Sequence, residues 1–166
     1  MKNQQQKPQK EAPINQEIIK NLRRHSTNDL KISQSAPIIL PKKNIVINGD
    51  MVIEEGKMVI NGDLTVNGNI YVSTTLRTHD ILINGKLTAK NIWLMGYIKA
   101  ESIEVSENVW CWGLEVDKQI NVKGSLNSFT EIKAPKIYAN SVSAEFIYGK
   151  VNARKIVKYN LRNLII

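Results

Sequence analysis

Very short strands, broken by turns every five or six residues, restrict this chain more than any other feature. The strings I-N-G-D-M-V-I (47–53), I-N-G-D-L-T-V-N-G-N-I-Y-V (60–72) and I-N-G-K-L-T-A (83–89) share one pattern. Two apolar residues flank one variable residue, and Gly, Asn, Asp or Lys follows at the corner. Alternation at period two is a strand signal. The inward pairs run Ile45/Ile47, Met51/Ile53, Met58/Ile60, Leu64/Val66, Ile70/Val72, Leu76/Thr78 and Ile81/Ile83, and continue in kind to Val151/Ala153. Every third pair recurs about one coil later, which predicts a column through Ile70, Leu87, Ile103, Ile120 and Ile137.

Three strands per coil, about 17 residues per coil and six or seven coils describe an all-β, single-chain β-solenoid of triangular cross-section. One such coil cannot bury its apolar side alone, but stacked coils share a continuous core and in-register backbone hydrogen bonds. At about 4.8 Å per stacked strand the body would stand roughly 30 Å tall. A β-sandwich fits poorly, because its turn signals come about every 8–12 residues. Corner glycines, among them Gly62, Gly68, Gly85, Gly96 and Gly113, are expected to supply positive φ.

Charge divides the chain into parts. Residues 1–43 hold nine Lys/Arg and three Asp/Glu; residues 44–157 hold twelve of each; residues 158–166 add Lys158 and Arg162. The expected layout is a basic, flexible N-terminal tail (1–43), a neutral solenoid (44–157) and an apolar C-terminal cap or assembly segment (158–166) with Leu161, Leu164, Ile165 and Ile166. Within the tail, Ile14, Ile18, Ile19 and Leu22 fall at helical spacing, followed by Arg23 and Arg24. A short amphipathic helix at 14–25 that contacts an anionic membrane or a partner is the corresponding expectation. A neutral body argues against a nucleic-acid groove. The first residues, M-K-N-Q-Q-Q-K-P, carry no apolar stretch, and one cysteine, Cys111, excludes an internal disulfide, so a cytoplasmic setting is expected.

Signatures of catalysis are sparse. No phosphate-binding loop, dinucleotide fingerprint, zinc signature or nucleophile elbow occurs. Asn-Gly-Asp at 48–50 and 61–63 lacks the density of a calcium-binding nonapeptide repeat, so Asp50 and Asp63 read as solvated corners. His25 lies in the tail, and a lone His79 beside Asp80 reads as a surface residue. The expectation is no enzyme, no catalytic or metal site and no cofactor.

An aromatic side stands out. Trp93 and Trp110 are 17 apart, each between two inward residues, and Met95, Trp112, Phe129 and Phe146 repeat at 17 along the adjoining corner. An exposed vertical stripe of this kind marks an interaction surface. The alternative is that the Met95 column turns inward and fills a wide vertex.

The motifs at 62–72 and 81–89, the 17-residue coil and the basic tail before a compact solenoid resemble the bactofilins, polymer-forming β-helical proteins of the bacterial cytoskeleton. The resemblance covers about two thirds of the chain. It implies a right-handed β-helix, head-to-tail polymerisation without nucleotide, and attachment to the inner membrane face through the N-terminal segment, with client proteins recruited there. The chain departs from it in a longer tail and in its many large aromatics. Two other readings are a monomeric solenoid module that binds a protein or glycan through the stripe, and a solenoid acyltransferase.

Overall fold

The computed structural model describes residues 30–33, 38–40, 44–72 and 80–160. Among these residues every regular element is a strand. They are β1 (Leu30–Ser33), β2 (Ile38–Leu40), β3 (Ile45–Ile47), β4 (Met51–Glu55), β5 (Met58–Ile60), β6 (Leu64–Val66), β7 (Ile70–Val72), β8 (Ile81–Ala89), β9 (Ile92–Val105), β10 (Val109–Val122), β11 (Ser125–Ser128), β12 (Glu131–Ala144) and β13 (Phe146–Lys158). All pair in parallel, the inner strands with those one coil before and one coil after, and form a β-solenoid of about six turns. β8 runs through one corner and contributes to two faces, β9, β10, β12 and β13 each run through two corners and contribute to all three, and β11 contributes to one.

Three ladders make the three sides. The first stacks Ile45, Leu64, Leu87, Ile103, Ile120, Ile137 and Val151. The second stacks Leu30, Met51, Ile70, Ile92, Val109, Leu126, Val142 and Ile156. The third stacks Ile38, Met58, Ile81, Ile98, Leu114, Ile132 and Ile147. Alternation places one side of each strand in a single core that runs from Leu40 to Ala144. Within that core large residues such as Ile60, Leu87 and Ile103 are almost wholly buried, and smaller ones such as Ala89, Ala100 and Ala144 fill the narrower places. The one buried polar side chain among the described residues, Ser128, places its hydroxyl 2.9 Å from the Trp112 carbonyl and 3.0 Å from that of Glu131. That satisfies a group whose burial would otherwise be costly.

The structure corrects three expectations. Ile70 does not share a column with Leu87; it lies between Met51 and Ile92, while Leu87 lies on Leu64. The coil from Leu64 to Leu87 is longer than those that follow it, so a fixed step slips by one strand there. The Leu76/Thr78 pair lies outside the described residues. The ladder also begins earlier than residue 44: β1 pairs with β4 and β2 with β5, so part of the segment read as a tail forms an initial rung. Finally, the left-handed region is used by Gly56 and Gly149, at φ of 97° and 131°, and not by the five corner glycines named from sequence.

Those corners are governed by close approach instead. A Cβ on Gly85 would lie 2.6 Å from the Gly62 carbonyl oxygen and 2.5 Å from Asp63 Oδ1. The space is kept open because Asp63 Oδ1 accepts from the Lys86 backbone N–H at 2.8 Å. Asp50 does the same for the Asn69 N–H at 2.7 Å, beneath Gly68. Thus the two aspartates of the Asn-Gly-Asp motifs are braces between coils, more than the solvated corners expected from sequence.

At the vertex before the second face this bracing becomes continuous. Asn91 Nδ2 donates to Asn69 Oδ1 at 3.0 Å, and the Asn108 N–H donates to Asn91 Oδ1 at 2.9 Å. The Ser125 N–H donates to Asn108 Oδ1 at 2.9 Å, and Ser141 Oγ donates to Ser125 Oγ at 2.8 Å. Each residue in this line directly precedes an inward residue of the second ladder, so the line fixes where each coil turns. We expect Gly85→Ala to destabilise the fold by about 1–3 kcal/mol through the clash, and Asp63→Ala by about 1 kcal/mol through the lost acceptor. Urea unfolding midpoints measure both, and unchanged midpoints would remove the brace.

Candidate functional site

The outward positions of the second ladder run Tyr71, Trp93, Trp110, Asn127, Ser143 and Val157. Parallel pairing sets Trp93 beside Trp110, with ring centroids 6.0 Å apart at 65°. Trp110 then meets Phe129 edge-on at 4.9 Å, and Phe129 stacks on Trp112 at 5.4 Å and 25°. Four rings are therefore contiguous around one corner. Aromatic pairs at these separations attract beyond their buried area. Trp93 is 64% exposed and Trp112 36%, while Met95, Trp110 and Phe129 are partly buried. The Met95–Trp112–Phe129 line thus lies at the surface rather than filling the vertex. Above Trp110 the column turns polar, with Ser143 Oγ donating to Asn127 Oδ1 at 2.6 Å.

Phe146 does not continue the line. The coil from Leu126 to Val142 is shorter than the one before it, from Val109 to Leu126. Asn127 pairs with Ser143 before the corner and Glu131 with Phe146 after it, so Phe146 lies past the position of Phe129. Phe146 pairs instead with Glu131 and stacks on Tyr148, with centroids 6.3 Å apart at 15°. The stripe expected from sequence is a compact patch on the middle coils plus a separate aromatic pair on the last coil.

Two patch residues were missed in the sequence. Tyr71 occupies the centre of I-Y-V as Trp93 occupies the centre of I-W-L, so its signal was legible. Tyr97 lies at the next corner, 44% exposed, with its ring over Gly113, where a Cβ would stand 2.5 Å from Tyr97 Cδ1. Its signal was a glycine one coil on, which identifies itself only once the register is known. The Tyr97 N–H donates to Asp80 Oδ1 at 2.9 Å.

The other two sides carry paired charges. Lys99 and Lys133 flank Glu115 at 3.4 and 3.5 Å, Lys90 lies 3.5 Å from Glu107, and Lys86 pairs with Glu104. Hydrogen bonding to Lys86 holds Glu104 below the ordinary glutamate range, and hydrogen bonding to Lys99 does so for Glu115. These exposed pairs are screened by water and add little stability, but they make the sides hydrophilic and leave the patch as the apolar side of the middle coils.

Cys111 is wholly buried beneath the patch, and desolvation pushes its thiol up to about 12. At neutral pH it is a protonated core residue, not a nucleophile. Among the described residues no group of three His, Cys, Asp or Glu side chains converges on a metal-sized site, and no helix is long and apolar enough to cross a membrane. Ile14, Ile18, Ile19, Leu22, Arg23, Arg24, His25 and His79 lie outside the described residues, as do Leu161, Leu164, Ile165 and Ile166.

No family description, curated protein or solved structure matches the chain.

Two outcomes follow from the buried thiol and the lowered carboxylates. Alkylation of Cys111 at mildly alkaline pH is expected only after denaturation; rapid labelling of the native protein would contradict the core placement. Because Glu104 and Glu115 titrate below their ordinary value when folded, their contribution is present above that value. It is lost as pH falls through the lowered values. A small drop in thermal midpoint below about pH 4, weaker in high salt, is the expected reading.

Proposed function

We propose that this chain is a bactofilin-like structural protein, a stiff rod whose copies assemble without nucleotide and serve as a scaffold. The aromatic patch is the observation that carries the reading. Parallel ladders fix the backbone beneath it, so Trp93, Trp110, Phe129 and Trp112 are held in place before any partner arrives. Preorganised Trp-rich surfaces bind other proteins with little ordering cost. A second copy of the rod presents the same surface, and side-by-side contact would bury both. Attachment of the assembly to the inner membrane face through residues 14–25, and recruitment of client proteins, belong to the same proposal.

A glycan-binding module is the second reading. Trp93 and Trp110 meet at 65° and Trp110 and Phe129 at 86°. That geometry offers ridges and clefts for side chains more than one broad plane for a sugar ring, and so favours a protein surface. An acyltransferase draws no support from the residues around the patch, where the buried Cys111 thiol is protonated.

Sedimentation velocity and electron microscopy of nucleotide-free protein test the proposal. The wild type is expected to form oligomers or filaments. Trp93→Ser with Trp110→Ser should weaken association by about 2 kcal/mol, roughly thirty-fold in affinity, with the β-sheet circular dichroism retained. Trp93→Ser alone, at the most exposed ring, should act in the same direction. A wild type that stays monomeric at high concentration, or variants that assemble unchanged, would defeat the reading.

A further inference from the structure

The aromatic patch lies on the side by which the chain enters the solenoid. β1 begins at Leu30 and opens the second ladder, the same ladder that carries Trp93 and Trp110. Its outward positions run Lys31, Val52, Tyr71, Trp93 and Trp110, so above the first rung the column is apolar as far as the patch. Beyond Trp110 it turns polar at Asn127 and Ser143. Residues 1–29 therefore join the rod on the patch's own side, at the foot of its apolar column.

The segment before β1 fits that column in length and in chemistry. At about 4.8 Å per rung, Trp93 stands about 14 Å and Trp110 about 19 Å above Lys31. Residues 23–29 span up to about 23 Å when extended, so Leu22 reaches the rings. From Ile14 to Leu22 a helix measures about 12 Å, and the rings from Trp93 to Phe129 cover two rung spacings, about 10 Å. Ile14, Ile18, Ile19 and Leu22 share one side of such a helix. A helix this short is marginal alone and needs a surface for that side. Charge agrees with the pairing. Residues 1–29 hold six Lys/Arg and three Asp/Glu, whereas residues 44–122 hold six against ten. At the rim of the patch stand Asp80, beside Tyr97, and Glu131, just beyond Phe129. Neither has a Lys or Arg within ion-pair distance among the described residues.

We infer that residues 14–25 lay their apolar side over Trp93, Trp110 and Phe129 of the same chain, as a latch that covers the patch until a partner displaces it. The inference rests on the patch that carries the scaffold reading and adds a control to it: a second rod must displace the latch before two patches meet. Membrane contact, proposed above for the same segment, uses the same apolar side and so competes with the latch. The C-terminal segment is the poorer occupant, because it would approach from above, across polar Ser143 and Asn127.

All three tryptophans of the chain, Trp93, Trp110 and Trp112, belong to the patch, so their fluorescence reads its coverage alone. The full chain is measured without lipid, at concentrations where sedimentation shows monomer, and circular dichroism checks each fold. Ile18→Ser with Leu22→Ser, both before β1, should lower the docked-to-free ratio about a hundredfold. Emission should then move to longer wavelength and acrylamide quenching should rise. Lys20→Glu with Arg23→Glu and Arg24→Glu should lower the ratio about tenfold, and added salt should move the wild type the same way. A dansyl group on Gln16→Cys gives a second reading, since the native Cys111 is buried and stays unlabelled. It should take energy from the tryptophans and lose that transfer when Ile18 and Leu22 are changed. A latch that leaves about one copy in ten open raises the concentration needed for association about tenfold. The Ile18/Leu22 variant should remove that difference, and Trp93→Ser with Trp110→Ser should make the variant's effect vanish. Fluorescence unchanged by the tail variants would overturn the latch. So would a wild-type signal that varies with protein concentration, which gives the patch to a second copy, or the same shift produced instead by Leu161→Ser with Leu164→Ser. The expected fluorescence changes in a chain that never associates would support the latch and remove the scaffold reading. Association that needs Trp93 and Trp110 while the tail variants change nothing would do the reverse.

Discussion

In-register parallel stacking is the interaction on which everything else in this protein depends. A three-residue strand such as Leu64–Val66 buries two side chains, far too few for a stable unit. It becomes stable because Ile45 lies on one side of Leu64 and Leu87 on the other, each hydrogen-bonded and each closing the same core. Stability is therefore shared between neighbours, as in other repeat proteins. A coil can be long, as between Leu64 and Leu87, or short, as between Ile137 and Val151. It still stacks, provided its three inward pairs land on those below.

Corner chemistry keeps the stacking in register. A slip by one residue would reverse the two sides of every strand. The line from Asp50 through Asn69, Asn91, Asn108 and Ser125 to Ser141 ties each coil to the next at one vertex. The Asp63 brace with Gly85 acts at another. This accounts for the Asn- and Gly-rich corners: a short polar side chain reaches the coil above, and glycine leaves room for it to do so.

The stacking also determines what the surface can display. Every outward side chain has an outward neighbour about 4.8 Å above and below, so the rod shows columns of like or complementary chemistry. Lys99–Glu115–Lys133 is a charge-paired column, and Tyr71–Trp93–Trp110 is an aromatic one. Rigid columns suit recognition by surface contact, and the core beneath them is filled with aliphatic side chains. The molecule's chemistry therefore lies on its sides and at its ends.

Period-two alternation and recurring corners were enough to establish a solenoid with three strands per coil, because both follow from local backbone geometry. They also exposed the Trp93/Trp110 pair, since equal spacing holds from Ile92 to Val109. Other features depended on the varying length of each coil, which no fixed spacing conveys. The longer coil moved Ile70 onto Ile92, and a shortened one carried Phe146 away from Phe129 to Tyr148. Tertiary structure likewise decided that Gly85 and Gly113 are required by a neighbour's approach rather than by φ. It also left the four cations of β13 exposed, with no carboxylate within ion-pair distance among the described residues. Alternation is a property of each strand alone; register, and hence which side chains meet, exists only between coils.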